Sequence, residues 1–80
     1  MNYRQIATQY PITFEKCTKA DGGKGYYAYS TLFPGILGDG ATYEEAADDL
    51  HDVLGDVIAQ RRERGEEIPE PEYLLQSQAL

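Results

Sequence analysis

Eighty residues leave room for one hydrophobic core and no second domain beside it. Fourteen Asp and Glu against seven Lys and Arg give a formal net charge of −7, a field that repels phosphate and argues against direct DNA or RNA binding by this chain, because that affinity rests on cations displacing condensed counterions. The single cysteine, Cys17, offers no intramolecular disulfide, zinc site or redox pair.

No window approaches the roughly 20 apolar residues of a membrane span, and the first residues carry no apolar run of signal-peptide length. The cytosol, a reducing compartment, is the expected location. A basic protein partner suits the charge, since opposite potentials speed encounter and suppress wrong partners.

In chain order, Tyr10, Ile12 and Phe14 alternate with Pro11, Thr13 and Glu15, the period of two that predicts a first strand. Asp21-Gly22-Gly23 supplies the positive-φ positions of a reversing turn, so a hairpin follows. The second strand, Tyr26 to Ser30, is rich in aromatic residues, with Tyr27 and Tyr29 on the face opposite Tyr26 and Ala28. Phe33-Pro34-Gly35 breaks it, Ile36 to Gly38 allows a short third strand, and Asp39-Gly40 turns toward a helix.

Thr42 and Glu45 have the spacing in which each side chain can cap the other's backbone N–H. Ala46, Ala47, Leu50, Val53, Leu54, Val57 and Ile58 then recur at steps of three and four, an apolar stripe that should pack on the sheet. Glu44, Asp48, Asp49, Asp52 and Asp56 lie on the other side. Arg61, Arg62 and Arg64 suit the helix dipole near its C-terminal end, and Gly65 is a plausible cap. Around Ile68 only a short edge strand fits, given Pro69 and Pro71. The expected fold is α+β, two layers in the order β-β-β-α-β. One helix covers one sheet face, which leaves the other face or an edge for solvent or another chain.

Four pieces in this order resemble the HicB family of antitoxins: Tyr10-Pro11-Ile12-Thr13-Phe14-Glu15-Lys16; Asp21-Gly22-Gly23 followed by Gly25-Tyr26-Tyr27-Ala28-Tyr29; Phe33-Pro34-Gly35 leading to Gly40-Ala41-Thr42-Tyr43-Glu44-Glu45-Ala46; and Gly65-Glu66-Glu67-Ile68-Pro69-Glu70-Pro71. The resemblance implies a degenerate ribonuclease-H-like HicB fold over residues 1–71, acting without catalysis or cofactor. It would neutralise a HicA-like toxin, a basic mRNA-cleaving protein, by steric masking, and would self-associate as a homodimer or larger assembly. Thr31-Leu32 stands where the family usually has Pro-Asp. Residues 72–80 are expected to form a short tail without the DNA-binding segment many members carry. A stand-alone interaction module without a toxin, and a residual metal-dependent nuclease, are the alternatives.

The acidic helix side can be an ordinary solvated surface or a docking surface; in the second case Asp48, Asp49, Asp52 and Asp56 are the partner-binding candidates, and because the alternation leaves open which sheet face is buried, an exposed row from Tyr26 or from Tyr27 and Tyr29 would suit a protein interface, with Tyr27 and Tyr29 taken as the candidates. A nuclease would need carboxylates converging on divalent metals. Asp21, Asp39 and Glu15 are the candidates near strands, yet turn chemistry suffices for the two aspartates. His51 flanks the apolar stripe without a nucleophile partner. Cys17 has only Lys16 and Lys19 beside it, and Gly22-Gly23-Lys24-Gly25 lacks the spacing of a phosphate loop. The seven tyrosines fit core and interface use better than a nucleic-acid stacking platform, which also needs a positive groove.

Overall fold

The structure, a computed structural model, describes residues 2–69. Its order is α1 (Tyr3–Ala7), β1 (Thr13–Thr18), β2 (Lys24–Tyr29), β3 (Leu37–Gly40) and α2 (Tyr43–Glu63). The strands form one antiparallel sheet in the order β1-β2-β3, and α2 packs against β2 and β3. The α+β class and the sheet with its covering helix agree with expectation; the element order does not, because a helix opens the chain.

The residues read as the start of a strand, Tyr10, Pro11 and Ile12, lie instead in the exit from that helix and the link to β1. Tyr3, Ile6, Ala7 and Tyr10 recur at steps of three and four, a helical spacing that competes with the alternation from Tyr10 to Phe14. Asn2 caps the start by accepting from the Gln5 N–H at 3.1 Å. After Ala7 the N–H groups of Gln9 and Tyr10 still donate back to Ile6 and Ala7, so β1 begins only at Thr13. A five-residue helix is not stable by itself; packing on α2 holds it. Gly55 of α2 makes the approach possible, since a Cβ there would meet the Arg4 backbone at 3.1 Å.

The hairpin turns at Gly22, φ +86°, and Asp21 accepts from the Gly23 N–H at 2.9 Å. The inner sheet face is made of small residues where α2 crosses it: Ala28, fully buried, stands opposite Gly38, and Tyr26 stands opposite Gly40. A Cβ on Gly38 would overlap the Leu50 backbone and come within 2.6 Å of the Ala46 carbonyl. Asp39 and Gly40, expected as a turn, finish β3 through their pairing with Tyr27 and Tyr26.

The apolar stripe of α2 is as predicted at Ala46, Leu50, Leu54 and Ile58, which are buried with Ala7, Tyr10, Ala28 and Phe33. Tyr10 meets Phe33 edge-on at 4.9 Å, and the Arg61 guanidinium lies 5.1 Å over the Phe33 ring. Thr42 accepts from the Glu45 N–H at 3.1 Å. The return bond goes one residue earlier than expected, to the Ala41 N–H at 2.8 Å.

At the other end Gly65, φ +70°, lets the Glu66 N–H reach the Arg61 carbonyl at 2.8 Å and the Gly65 N–H reach that of Arg62 at 3.2 Å. These two bonds together satisfy the last carbonyls of the helix. No strand forms around Ile68: Pro69 lacks a ladder donor, and Ile68 packs half-buried against the core instead. The Tyr10 hydroxyl holds this segment by donating to the Pro69 carbonyl at 2.6 Å. The expected boundary between residues 71 and 72, and the tail, lie outside the described residues.

Candidate protein-binding site

The four aspartates proposed from sequence occupy three different settings on α2. Asp48 and Asp52 are one helical turn apart, and Arg4 of α1 reaches both, at 3.0 Å from Asp48 and 2.7 Å from Asp52. Those carboxylates hold Arg4 above its ordinary pKa, chiefly through the hydrogen bond to Asp52 and then that to Asp48. All three groups remain largely in water, where such pairs orient side chains more than they stabilise a fold. Asp49 faces the sheet and accepts from the Asp39 N–H at 3.0 Å. Asp56 is exposed beyond the Arg4 clamp. The aspartate row is therefore a partly self-neutralised surface, and Arg4 is the member sequence reasoning missed, because no element was assigned before Tyr10 and the helix that carries Arg4 was not expected.

Tyr27 and Tyr29 stand on the face of the sheet opposite α2. Tyr29 lies between Thr13 and Leu37, and Tyr27 between Glu15 and Asp39. Leu37, which sequence reading passed over, is the most exposed large apolar residue among the described residues, at 55%. The Tyr29 hydroxyl donates to Glu15 at 3.2 Å; its own pKa is raised first by burial and then by the Glu15 charge. The Tyr27 pKa is raised as well, chiefly by the neighbouring Cys17. The two phenols present donors and flat apolar rings together, a composition suited to protein contact.

On the inner face a second aromatic group gathers where α2 begins. Tyr43 receives the edge of Phe14 at 5.1 Å and lies against Tyr26 at 4.2 Å. Phe14 is 39% and Tyr43 43% exposed. Toward the hairpin this face continues as an open groove of about 360 Å³ lined by Lys16, Cys17, Thr18, Lys24, Gly25 and Tyr26. Every lysine in the chain, Lys16, Lys19 and Lys24, belongs to this hairpin. The arginines lie elsewhere, Arg4 on α1 and Arg61, Arg62 and Arg64 at the C-terminal end of α2.

Of the carboxylates weighed for metal chemistry, Asp21 serves the turn, Glu15 meets Tyr29, and Asp39 contributes its backbone to Asp49. Among the described residues no three His, Cys, Asp or Glu side chains gather closely enough to hold a metal ion. No described helix is long and apolar enough to cross a membrane.

His51 sits on the flank of the stripe with its Nε2 buried and unbonded among the described residues. Its pKa is lowered from 6.5, first by burial and then by the Arg4 charge, against smaller opposing effects of Asp48 and Asp52. The unfolded chain therefore takes up a proton below about pH 6.5 that the folded chain resists, and stability falls as pH drops through that range. Thermal melts between pH 7.5 and 5.5 should show a declining midpoint that flattens in His51→Gln; an unchanged slope in that variant would assign the effect to other groups.

Compared with protein-family models, with curated proteins and with solved structures, the chain matches none.

Proposed function

We propose that this protein is a HicB-like antitoxin of the cytosol that neutralises a basic, mRNA-cleaving HicA-like toxin by covering its active surface, its sheet and covering helix serving as a degenerate ribonuclease-H-like scaffold. The observation that carries the reading is the ordered set of motifs from Tyr10 to Pro71, and the charge distribution supports it: the exposed side of α2 bears Asp48, Asp52 and Asp56, a surface a cationic protein would meet. In this reading the chain performs no reaction. Masking requires only that the complex exclude RNA from the toxin, and a carboxylate surface does so by occupying the cations that would otherwise hold phosphate.

Arg4 gives the docking step a specific form. A toxin arginine approaching Asp48 and Asp52 meets a site already bridged within this chain, and it displaces Arg4 or binds alongside at Asp56. The two tyrosines of the open face, Tyr27 and Tyr29, add apolar contact area for a partner that wraps the sheet.

The direct test is calorimetric titration into a catalytically inactive HicA-like protein encoded next to this chain, with RNA cleavage by the active toxin followed in parallel. Tight binding with lost cleavage is expected; absence of heat with undiminished cleavage would remove the reading. Asp56→Lys, which leaves the Arg4 clamp intact, should slow association by about tenfold at low salt and much less at high salt, because exposed interface charges act mainly on encounter.

A further inference from the structure

The acidity of the chain conceals a cationic site. Lys16, Lys19 and Lys24 are all of its lysines, each is exposed, and none forms an ion pair among the described residues, although carboxylates outnumber cations two to one. Between Lys16 and Tyr26 the one carboxylate is that of Asp21, and it is turned to the Gly23 N–H at 2.9 Å. Like charges gathered without a counter-charge repel one another, and a bound anion relieves the repulsion.

The ladder sets how these groups face. The Lys19 N–H donates to the Gly23 carbonyl at 2.7 Å just beyond the last register pair. By the alternation of an antiparallel ladder, Thr18–Lys24 and Lys16–Tyr26 are therefore non-hydrogen-bonded pairs, the kind whose side chains stand closest. All four residues share the inner face with Phe14 and Ala28, and all four line the groove of about 360 Å³. Lys16 and Lys24 are diagonal neighbours, about 7–8 Å apart, so their ammonium groups, on flexible stems, can close on one anion with the Thr18 hydroxyl beside it. Lys19 stays behind the sheet, where its Cε lies 3.1 Å from the position of a Cβ on Gly25. It strengthens the field without entering the groove.

Tyr26 carries the groove to the aromatic cluster. Its ring lies 4.2 Å from that of Tyr43, which in turn receives Phe14, and the last two remain exposed. Rings that stack a base need a positive groove beside them, and here the two adjoin. We propose that this groove binds a nucleoside monophosphate, its phosphate between Lys16 and Lys24 and its base against the rings of Tyr26, Tyr43 and Phe14.

Spacing and charge select this ligand. From Lys16 to Phe14 the strand advances about 7 Å; the ribose of a nucleotide spans that step, whereas an aryl phosphate ties its phosphate directly to the ring. A nucleic-acid strand is disfavoured, because its further phosphates would meet the acidic remainder of the chain. The groove also falls within the size of small-molecule sites, roughly 300–1,000 Å³. The inference is independent of any toxin, and its test needs none.

Adenosine monophosphate titrated into the isotope-labelled full chain should shift the amide resonances of Phe14, residues 16–26 and Tyr43 saturably, with a dissociation constant of about 1 mM or below. Adenosine, ribose phosphate and phenyl phosphate each lack part of the match and should bind about tenfold more weakly or worse. Lys24→Gln, at an exposed and unpaired side chain, should leave circular dichroism unchanged and weaken adenosine monophosphate about tenfold. Lys19→Gln, which touches only the field, should cost about twofold, an effect that raised salt removes. A flat titration, equal losses at Lys19 and Lys24, phenyl phosphate binding as tightly as the nucleotide, or a single-stranded oligonucleotide binding more tightly than it would each overturn the proposal.

Discussion

Gly38→Ala should lose about 3 kcal/mol of stability, lowering the melting midpoint by ~12 °C or more in a domain of this size. The added methyl has nowhere to go. It would overlap the Leu50 backbone nitrogen and lie 2.6 Å from the Ala46 carbonyl and 2.7 Å from the Leu50 Cα. These are backbone atoms in the middle of a capped helix, so no rotamer change relieves the overlap. Either α2 lifts from β3 or the strand leaves its place beside Ala28. Gly35→Ala is the comparison: nothing lies within 4 Å of its Cβ, and its cost comes from φ +85° alone, about 1–2 kcal/mol. Thermal melts of the two variants under one buffer check the ranking; an equal or smaller loss at Gly38 would mean that the helix shifts freely over the sheet.

Phe33→Ala should cost about 3–5 kcal/mol, enough to leave much of the population unfolded in a domain that starts with marginal stability. Phe33 is fully buried in the segment between β2 and β3, and it ties together elements far apart in sequence: Tyr10 after α1 packs its edge on the ring, and Arg61 near the end of α2 lies over it. Removing the ring removes the apolar burial and leaves a void bounded by all three. Phe33→Leu keeps most of the volume and should cost no more than about 1.5 kcal/mol beyond the lost ring contacts. Urea titration distinguishes the two through their midpoints, and an alanine variant as stable as the leucine one would show that the core closes over the gap.

The parts of the fold legible in the sequence were those with local signals. The α2 start at Thr42 and Glu45, the Gly65 stop, the Asp21-Gly22-Gly23 turn and the buried set Ala46, Leu50, Leu54 and Ile58 were each read from spacing over a few residues, and each stands in the structure. The opening helix was missed because two periods overlap in the same residues. Tyr10 belongs at once to the helical series Tyr3, Ile6, Ala7, Tyr10 and to the alternating series Tyr10, Ile12, Phe14, and an isolated helix of five residues has too little stability to declare itself.

The sheet faces were partly legible: Tyr27 and Tyr29 were placed opposite Tyr26 and Ala28, but which pair turned inward was open. It was decided by Gly38, Gly40 and Ala28, whose lack of bulk admits α2 on that side. The candidate site followed the same division. Acidity and the identity of the aspartates come from composition, while their pairing does not, because Arg4 lies 44 residues from Asp48 in the chain and meets it only when α1 docks at Gly55.

By itself, then, the amino-acid sequence determined one acidic domain, the long capped helix with its apolar stripe, and the hairpin, because these depend on charge count, on side-chain periodicity and on turn chemistry within a few residues. Only the tertiary structure decided that α1 exists, that Arg4 bridges Asp48 and Asp52, that Asp49 closes the β3 edge while the β1 edge stays open, and that Phe14 and Tyr43 share one exposed cluster. Each of these is a contact between distant residues, and its occurrence depends on how closely backbones can approach, which glycine and alanine set where elements cross and no local pattern records.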